Sequence, residues 1–297
     1  MSAASVPRAA RLPFGARLAA AMDELGPLCV GIDPHPSLLA DWGLPDDAEG
    51  VRRFGLRVVE ALGGHVAALK PQAAFFERHG SPGVAALEEV VAAARTAGTL
   101  TIVDAKRGDI GSTMGGYAEA FLADGSALAG DAVTLSPYLG FGSLAPAADL
   151  AAATGRGIFV LCLTSNAEGH EVQHAVGPDG VSVAANVAAQ ASALNAPAVS
   201  AGLPMGSVGL VVGATIGDAA RRTGADLEAV GGPLLAPGVG AQGAGERELA
   251  DVFGAVRRNV LASSSRGVLA AGPDPTALLR AAQRSTAEVR AALRPRP

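Results

Sequence analysis

Between Asp104 and Asp109 the chain packs two carboxylates and two cations, Asp-Ala-Lys-Arg-Gly-Asp, directly after an apolar run. Leu100, Ile102 and Val103 have the β-branched, apolar character of a buried strand, so the charges stand at that strand's end. Asp104 and Lys106 are two residues apart and leave the same face if the strand persists that far, while Asp109 follows where the chain turns through Gly108. This spacing predicts a lysine held between two anions. Ionised groups beside an apolar strand are costly unless paired, and pairing to carboxylates favours the ammonium form. The chemistry on offer is that of a fixed positive charge: it neutralises a developing anion and hands over a proton, whereas imine formation requires a neutral amine. A lone Asp-x-Lys also describes an ion pair that closes a strand end. The remaining chain decides between the two.

A second stretch with chemistry is Pro-Gly-Val-Gly-Ala-Gln-Gly-Ala-Gly at 237–245. It holds a literal G-x-G-x-x-G in Gly238, Gly240 and Gly243. A dinucleotide site wants that pattern in an early βαβ unit with an acid about 20 residues on; here Ser263 stands there and no acid follows before Asp274. The nicotinamide reading fails. What survives is a backbone that approaches an anion closely and cradles it with N–H groups, helped by Gln242.

The elements that must position these residues alternate almost without exception. Strand-like runs at 28–33, 67–70, 100–104, 132–135, 158–163, 208–213, 234–236 and 260–262 are each followed by a helix-like stretch, at 51–62, 84–97, 117–122, 145–153, 181–194, 218–223, 246–256 and 276–293. Eight such units in about this length predict an α/β fold, a single (β/α)8 TIM barrel domain over 1–297 rather than an open sheet. Residues 1–27 read as an N-terminal extension with an amphipathic helix from Phe14 to Leu25, Met22 and Leu25 facing inward. Long connections follow strand one (35–50) and strand five (165–180), and in a compact barrel such loops are lids, binding loops or disordered insertions.

Active sites of this architecture lie at the C-terminal strand ends. Polar residues gather there: Asp33, Lys70, Asp104 with Lys106, Thr134 with Ser136, Thr164 with Ser165, Gln242 after the seventh strand and Arg266 after the eighth. The loops after strands seven and eight are the usual phosphate site of such barrels, and Arg266 brings a planar fork of donors. A phosphorylated substrate is the consequence.

Composition narrows the class. The chain is 49% hydrophobic but only 4% aromatic, so its core is built from Ala, Val and Leu. A net charge of -5 with no basic run argues against a nucleic-acid partner. Cys29 and Cys162 each sit within an apolar run and read as buried thiols. No apolar stretch approaches the roughly 20 residues that span a bilayer. Arg8, Arg11 and Arg17 among alanines are faintly similar to a transit peptide, but Phe14 to Leu25 also fits an amphipathic first helix, and a cytoplasmic protein is expected.

Together these residues resemble the orotidine 5'-phosphate decarboxylase family. Asp-Ala-Lys-Arg-Gly-Asp-Ile-Gly-Ser-Thr at 104–113 is similar to its Asp-x-Lys-x-x-Asp-Ile-x-x-Thr signature. Gly-Ile-Asp-Pro at 31–34, Leu-Lys-Pro-Gln at 69–72, Pro-Gly-Val-Gly-Ala-Gln-Gly at 237–243 and Ser-Ser-Arg-Gly at 264–267 also match, in an order similar to the family's. The length and Thr-Ser-Asn at 164–166 resemble the longer bacterial and actinobacterial subgroup. The resemblance implies cofactor-free and metal-free conversion of orotidine 5'-monophosphate to uridine 5'-monophosphate and carbon dioxide. It implies Asp33 and Lys70 on the ribose hydroxyls, with Lys70 joining the charged network. Asp104 would lie against the substrate carboxylate and Lys106 would protonate C6. Asp109 and Thr113 would reach into the neighbouring subunit's site, making a homodimer with shared active sites. Ser165 would contact the pyrimidine edge, Pro237 would border the carboxylate pocket, and Gln242 with Arg266 would hold the phosphate.

Two other readings use the same residues. A magnesium-dependent sugar-phosphate lyase on the same barrel would employ the carboxylates as metal ligands, but it wants a further oxygen where strand two offers Lys70. A non-enzymatic phosphate-binding barrel would keep Gln242 and Arg266 and have no use for Asp104, Lys106 and Asp109 together.

Overall fold

The computed structural model describes residues 11–239 and 245–294. Eight parallel strands close into a barrel in sequence order: β1 Leu28–Ile32, β2 Ala68–Pro71, β3 Leu100–Arg107, β4 Ala132–Leu135, β5 Gly157–Leu163, β6 Val208–Val212, β7 Leu234–Pro237 and β8 Val260–Ser264, with β8 pairing back onto β1. The predicted barrel is the observed one. Helices cover its outer face, the principal ones at Ala48–Leu62, Gly80–Thr96, Gly111–Leu122, Ala145–Thr154, Val183–Ser200, Glu246–Phe253 and Pro275–Ala292. Asp47, Ser182 and Asp274 cap three of them by accepting a backbone N–H of the first turn.

Successive strand residues point alternately out to the helices and in to the barrel axis, and the core divides accordingly. Leu28, Val30 and Ile32 of β1, Ile158 and Val160 of β5, and Val260 and Ala262 of β8 pack against the helices. Cys29, Ala68, Ile102, Ala132, Phe159, Val211, Leu235 and Leu261 fill the interior. That interior is stoppered from below by the N-terminal helix Phe14–Leu25, whose Phe14 meets Phe159 edge to face at 5.9 Å. Met22 is buried there as expected, whereas Leu25 is only half-buried.

Following the inward positions upward by twos explains where the polar residues go. Cys29 leads through Gly31 to Asp33, Ala68 leads to Lys70, Ile102 to Asp104, Ala132 to Thr134, Leu235 to Pro237 and Leu261 to Ser263. The lower layers are apolar and the top layer is polar, so one end of the barrel is a sealed core and the other a chemical floor.

The two long connections carry short helices that periodicity alone does not reveal, Pro36–Asp41 after β1 and Gly169–Gln173 after β5. Short helices of four or five residues also follow β2 (Ala73–Glu77) and β8 (Arg266–Leu269). Segments so short make too few turns to show a 3.6-residue pattern.

Candidate active site

A cavity of about 820 Å³ opens at the C-terminal end of the barrel. Of the residues to which the resemblance assigned a role it brings together seven, Asp33, Lys70, Asp104, Lys106, Ser165, Pro237 and Arg266, with Thr164 beside them. Leu161, Val211 and Val239 add an apolar wall, and Ser263, Ser264 and Ser265 line the side nearest Arg266. Gln242 lies outside the described residues. Asp109 and Thr113 do not line the cavity of their own chain.

The floor is a row of charges drawn from adjacent strands. Lys70 Nζ on β2 donates to Asp104 Oδ2 on β3 at 2.8 Å, and Lys106 Nζ donates to Asp104 Oδ1 at 2.6 Å. Thr134 Oγ1 on β4 also donates to Oδ1, at 2.8 Å. This corrects the local reading, in which Lys106 sits between two anions. Within one chain the anion, Asp104, sits between two cations. The reason is tertiary. Pairing of β2 with β3 delivers Lys70 from 34 residues away, while the turn at Gly108 carries Asp109 off the floor, its carboxylate accepting the Ile110 N–H at 2.8 Å. Gly108 fits there because a Cβ would stand 2.4 Å from the Ser136 carbonyl oxygen.

The electrostatics follow from burial and pairing. Burial alone would raise the Asp104 pKa, but the charges of Lys70 and Lys106 and their hydrogen bonds reverse that and hold it well below the usual carboxylate range. Burial alone would likewise neutralise Lys70; Asp104 and Asp33 override it and hold the ammonium above its ordinary value. Lys70 and Asp104 are nearly sealed from solvent, whereas the Lys106 side chain is 44% exposed. Lys106 is therefore the member of the row most open to the cavity. The two thiols take no part: burial pushes both Cys29 and Cys162 up to about 12.

Asp33 shows its role differently. Its Oδ1 is buried yet finds no hydrogen-bond donor among the described residues. It is an acceptor left without a donor beside the cavity, which marks Asp33 out from the paired residues of the row. A Cβ at Gly31 beneath it would lie 2.0 Å from Ser265 Oγ and 3.0 Å from Asp33 Oδ2, so a larger residue there would displace both side chains.

The match to known proteins has the same extent as the barrel. Residues 26–282 fit the model of the "Orotidine 5'-phosphate decarboxylase / HUMPS family". The chain belongs to this family. It is 60% identical over 281 residues to the orotidine 5'-phosphate decarboxylase of Streptomyces coelicolor, covering 95% of this chain and 98% of that protein. It is also 60% identical over 280 residues to that of Salinispora arenicola, covering 94% and 98%. Among solved structures, a Streptomyces avermitilis protein assigned as an orotidine 5'-phosphate decarboxylase superposes with a TM-score of 0.91 at 59% identity, over 98% of this chain and 99% of that one.

Two floor residues had no role assigned from sequence. Thr134 was visible only as a polar end to an apolar strand. Gln72 is the last residue of the Leu-Lys-Pro-Gln motif, and its amide donates to the Asp104 carbonyl at 3.4 Å. Nothing in local spacing couples either to Asp104, because both contacts cross between strands.

The charged row makes a prediction about pH. Asp104 has its folded pKa depressed below 3.8, so its contribution to stability is present above about pH 4 and is lost as pH falls through the folded value. The Lys70 pKa is raised above 10.5, so its contribution persists below about pH 10.5 and is lost as pH climbs through its folded value. Neither makes stability vary between about pH 5 and 9. Asp104→Asn should therefore lower Tm throughout that range and show a shallower fall than wild type between pH 5 and 3. Parallel acid limbs in scanning calorimetry would reject this account of Asp104.

Proposed function

We propose that this protein decarboxylates orotidine 5'-monophosphate to uridine 5'-monophosphate in the cytoplasm, as the closing step of pyrimidine nucleotide synthesis, and that it does so as a homodimer. The observation that carries the reading is the Lys70–Asp104–Lys106 row, seated at the floor of a cavity that has Arg266 at its rim. Breaking the bond from C6 to the carboxyl carbon leaves its electron pair in the plane of the ring, where no π-system absorbs it. A fixed ammonium beside C6 is the stabiliser that the site offers, and the same Lys106 Nζ–H supplies the proton that replaces carbon dioxide. Lys106, left neutral, regains its proton from solvent on the exposed side.

The remaining residues bind and orient. Asp33, with its unmet Oδ1, and Lys70 hold the ribose hydroxyls. Asp104 faces the substrate carboxylate, and Pro237 with Leu161 and Val211 borders the pocket that carboxylate enters. Ser165 meets the pyrimidine edge. Arg266 opens the short helix after β8, where its fork and the helix's first N–H groups suit a phosphate, joined by Gln242 from the loop after β7. Asp109 and Thr113 complete the site of the second subunit. Ile110 after β3 and Tyr138 and Leu139 after β4 are 62%, 75% and 52% exposed, apolar side chains that a second copy would cover.

A magnesium-dependent reaction on this floor would require an oxygen ligand where Lys70 Nζ stands 2.8 Å from Asp104. The decisive test is spectrophotometric. Purified protein treated exhaustively with chelator should consume the orotidine monophosphate absorbance at an undiminished rate and release one carbon dioxide per uridine monophosphate. No consumption, or activity that vanishes with chelator and returns with Mg²⁺, would overturn the proposal.

A further inference from the structure

We infer that Thr134 is a positioning residue that sets where the Lys106 ammonium sits. The inference deepens the decarboxylase reading and rests on it.

The β3–β4 ladder runs in register through Ile102↔Ala132 and Val103↔Val133, then resumes only at Arg107↔Leu135. Four steps along β3 therefore match two along β4. Asp104, Ala105 and Lys106 thus stand opposite Thr134 alone, two residues in surplus, a bulge at the edge of the site. Within it Lys106 adopts φ +47°, and it is the one non-glycine residue with positive φ among the described residues. L side chains resist that backbone conformation, so the surroundings must hold it in place.

Thr134 does this with a single hydroxyl. Its Oγ1 accepts the Lys106 backbone N–H at 3.0 Å and donates its own proton to Asp104 Oδ1 at 2.8 Å. The same Oδ1 accepts from Lys106 Nζ at 2.6 Å. The lysine is thus tied at both ends to one small ring of groups, its main chain to the hydroxyl and its ammonium to the carboxylate that the hydroxyl orients. One donor and one acceptor of the threonine are used, which leaves no freedom for the hydroxyl to turn. Thr134 is 1% exposed, β-branched and held by its pairing with Phe159 of β5, so this ring is rigid. It does not line the cavity, and it would act on the substrate only through Lys106 and Asp104.

Thr134→Val keeps the shape and removes the hydroxyl. Loss of alignment of this kind costs roughly 100-fold in rate, and kcat should fall by about that factor. The affinity for uridine monophosphate, which needs no proton delivery, should stay within about two-fold of wild type. Thr134→Ser restores the hydroxyl and should return kcat to within a few-fold. Wild-type Lys106 amide hydrogen exchange should be as slow as that of the paired β4 amides, and faster in Thr134→Val. Equal kcat in wild type and Thr134→Val would overturn the inference while leaving the decarboxylase reading intact. So would a kcat loss matched by an equal loss of nucleotide affinity, or one that serine fails to rescue. Should the valine variant not fold, Thr134→Ala carries the same expectation. If that too fails, exchange of the wild-type Lys106 amide at exposed-loop rates would overturn the inference by itself. A wild type that consumes no orotidine monophosphate would remove both readings together.

Discussion

Lys106→Ala should abolish turnover while leaving the protein folded and able to bind nucleotide. The variant loses a positioned general acid, worth roughly 10²–10⁴ in rate, together with a preorganised charge worth roughly 10²–10³. A fall in kcat of at least about 10⁴-fold is therefore expected. The structure explains why this lesion is chemical rather than structural. Asp104 keeps Lys70 at 2.8 Å and Thr134 at 2.8 Å when Lys106 is gone, so no buried charge is left uncompensated. Lys106 is itself substantially exposed. Removing Lys70 instead would leave the buried Asp104 carboxylate with the half-exposed Lys106 as its cation, so Lys70→Ala should lower Tm more than Lys106→Ala does. The measurement is steady-state decarboxylation beside Tm and uridine monophosphate affinity. Near-normal kcat in Lys106→Ala would remove Lys106 from the acid role, whatever the identity of the substrate.

The second large effect is complementation between two inactive proteins. Lys106→Ala and Asp109→Ala, each nearly dead alone, should regain activity when dissociated, mixed and reassembled. Asp109 stands three residues after Lys106, yet its carboxylate turns to the Ile110 N–H and away from the cavity of its own chain. Thr113 is likewise exposed outside that cavity. If both serve the opposite site across a two-fold axis, a mixed dimer collects both lesions in one site. The other site is then built from intact residues. Equal mixing makes about half of the dimers mixed and one in two of their sites whole, so activity should recover to roughly a quarter of wild type. Were Asp109 to serve its own chain, every site of the mixed dimer would carry one lesion. Absence of recovery, with subunit exchange verified by mass tagging, would reject the shared site.

What the chain's own order of residues determined is substantial and local. Alternation of apolar runs with amphipathic stretches announces eight β/α units, because helical and strand periods are written in neighbouring residues. The switch from apolar to polar at each strand's end marks the rim, since inward positions recur every second residue and Asp33, Lys70 and Asp104 continue the series begun by Cys29, Ala68 and Ile102. Tertiary structure decided how those residues act on one another. Spacing predicted Lys106 between Asp104 and Asp109; closure of the barrel put Asp104 between Lys70 and Lys106 and sent Asp109 elsewhere. The bulge that holds Lys106, and the Thr134 hydroxyl that supports it, arise from a register shift between two strands. Register is a relation between segments nearly 30 residues apart, set by packing and hydrogen bonding across the sheet, and no periodicity within either segment encodes it.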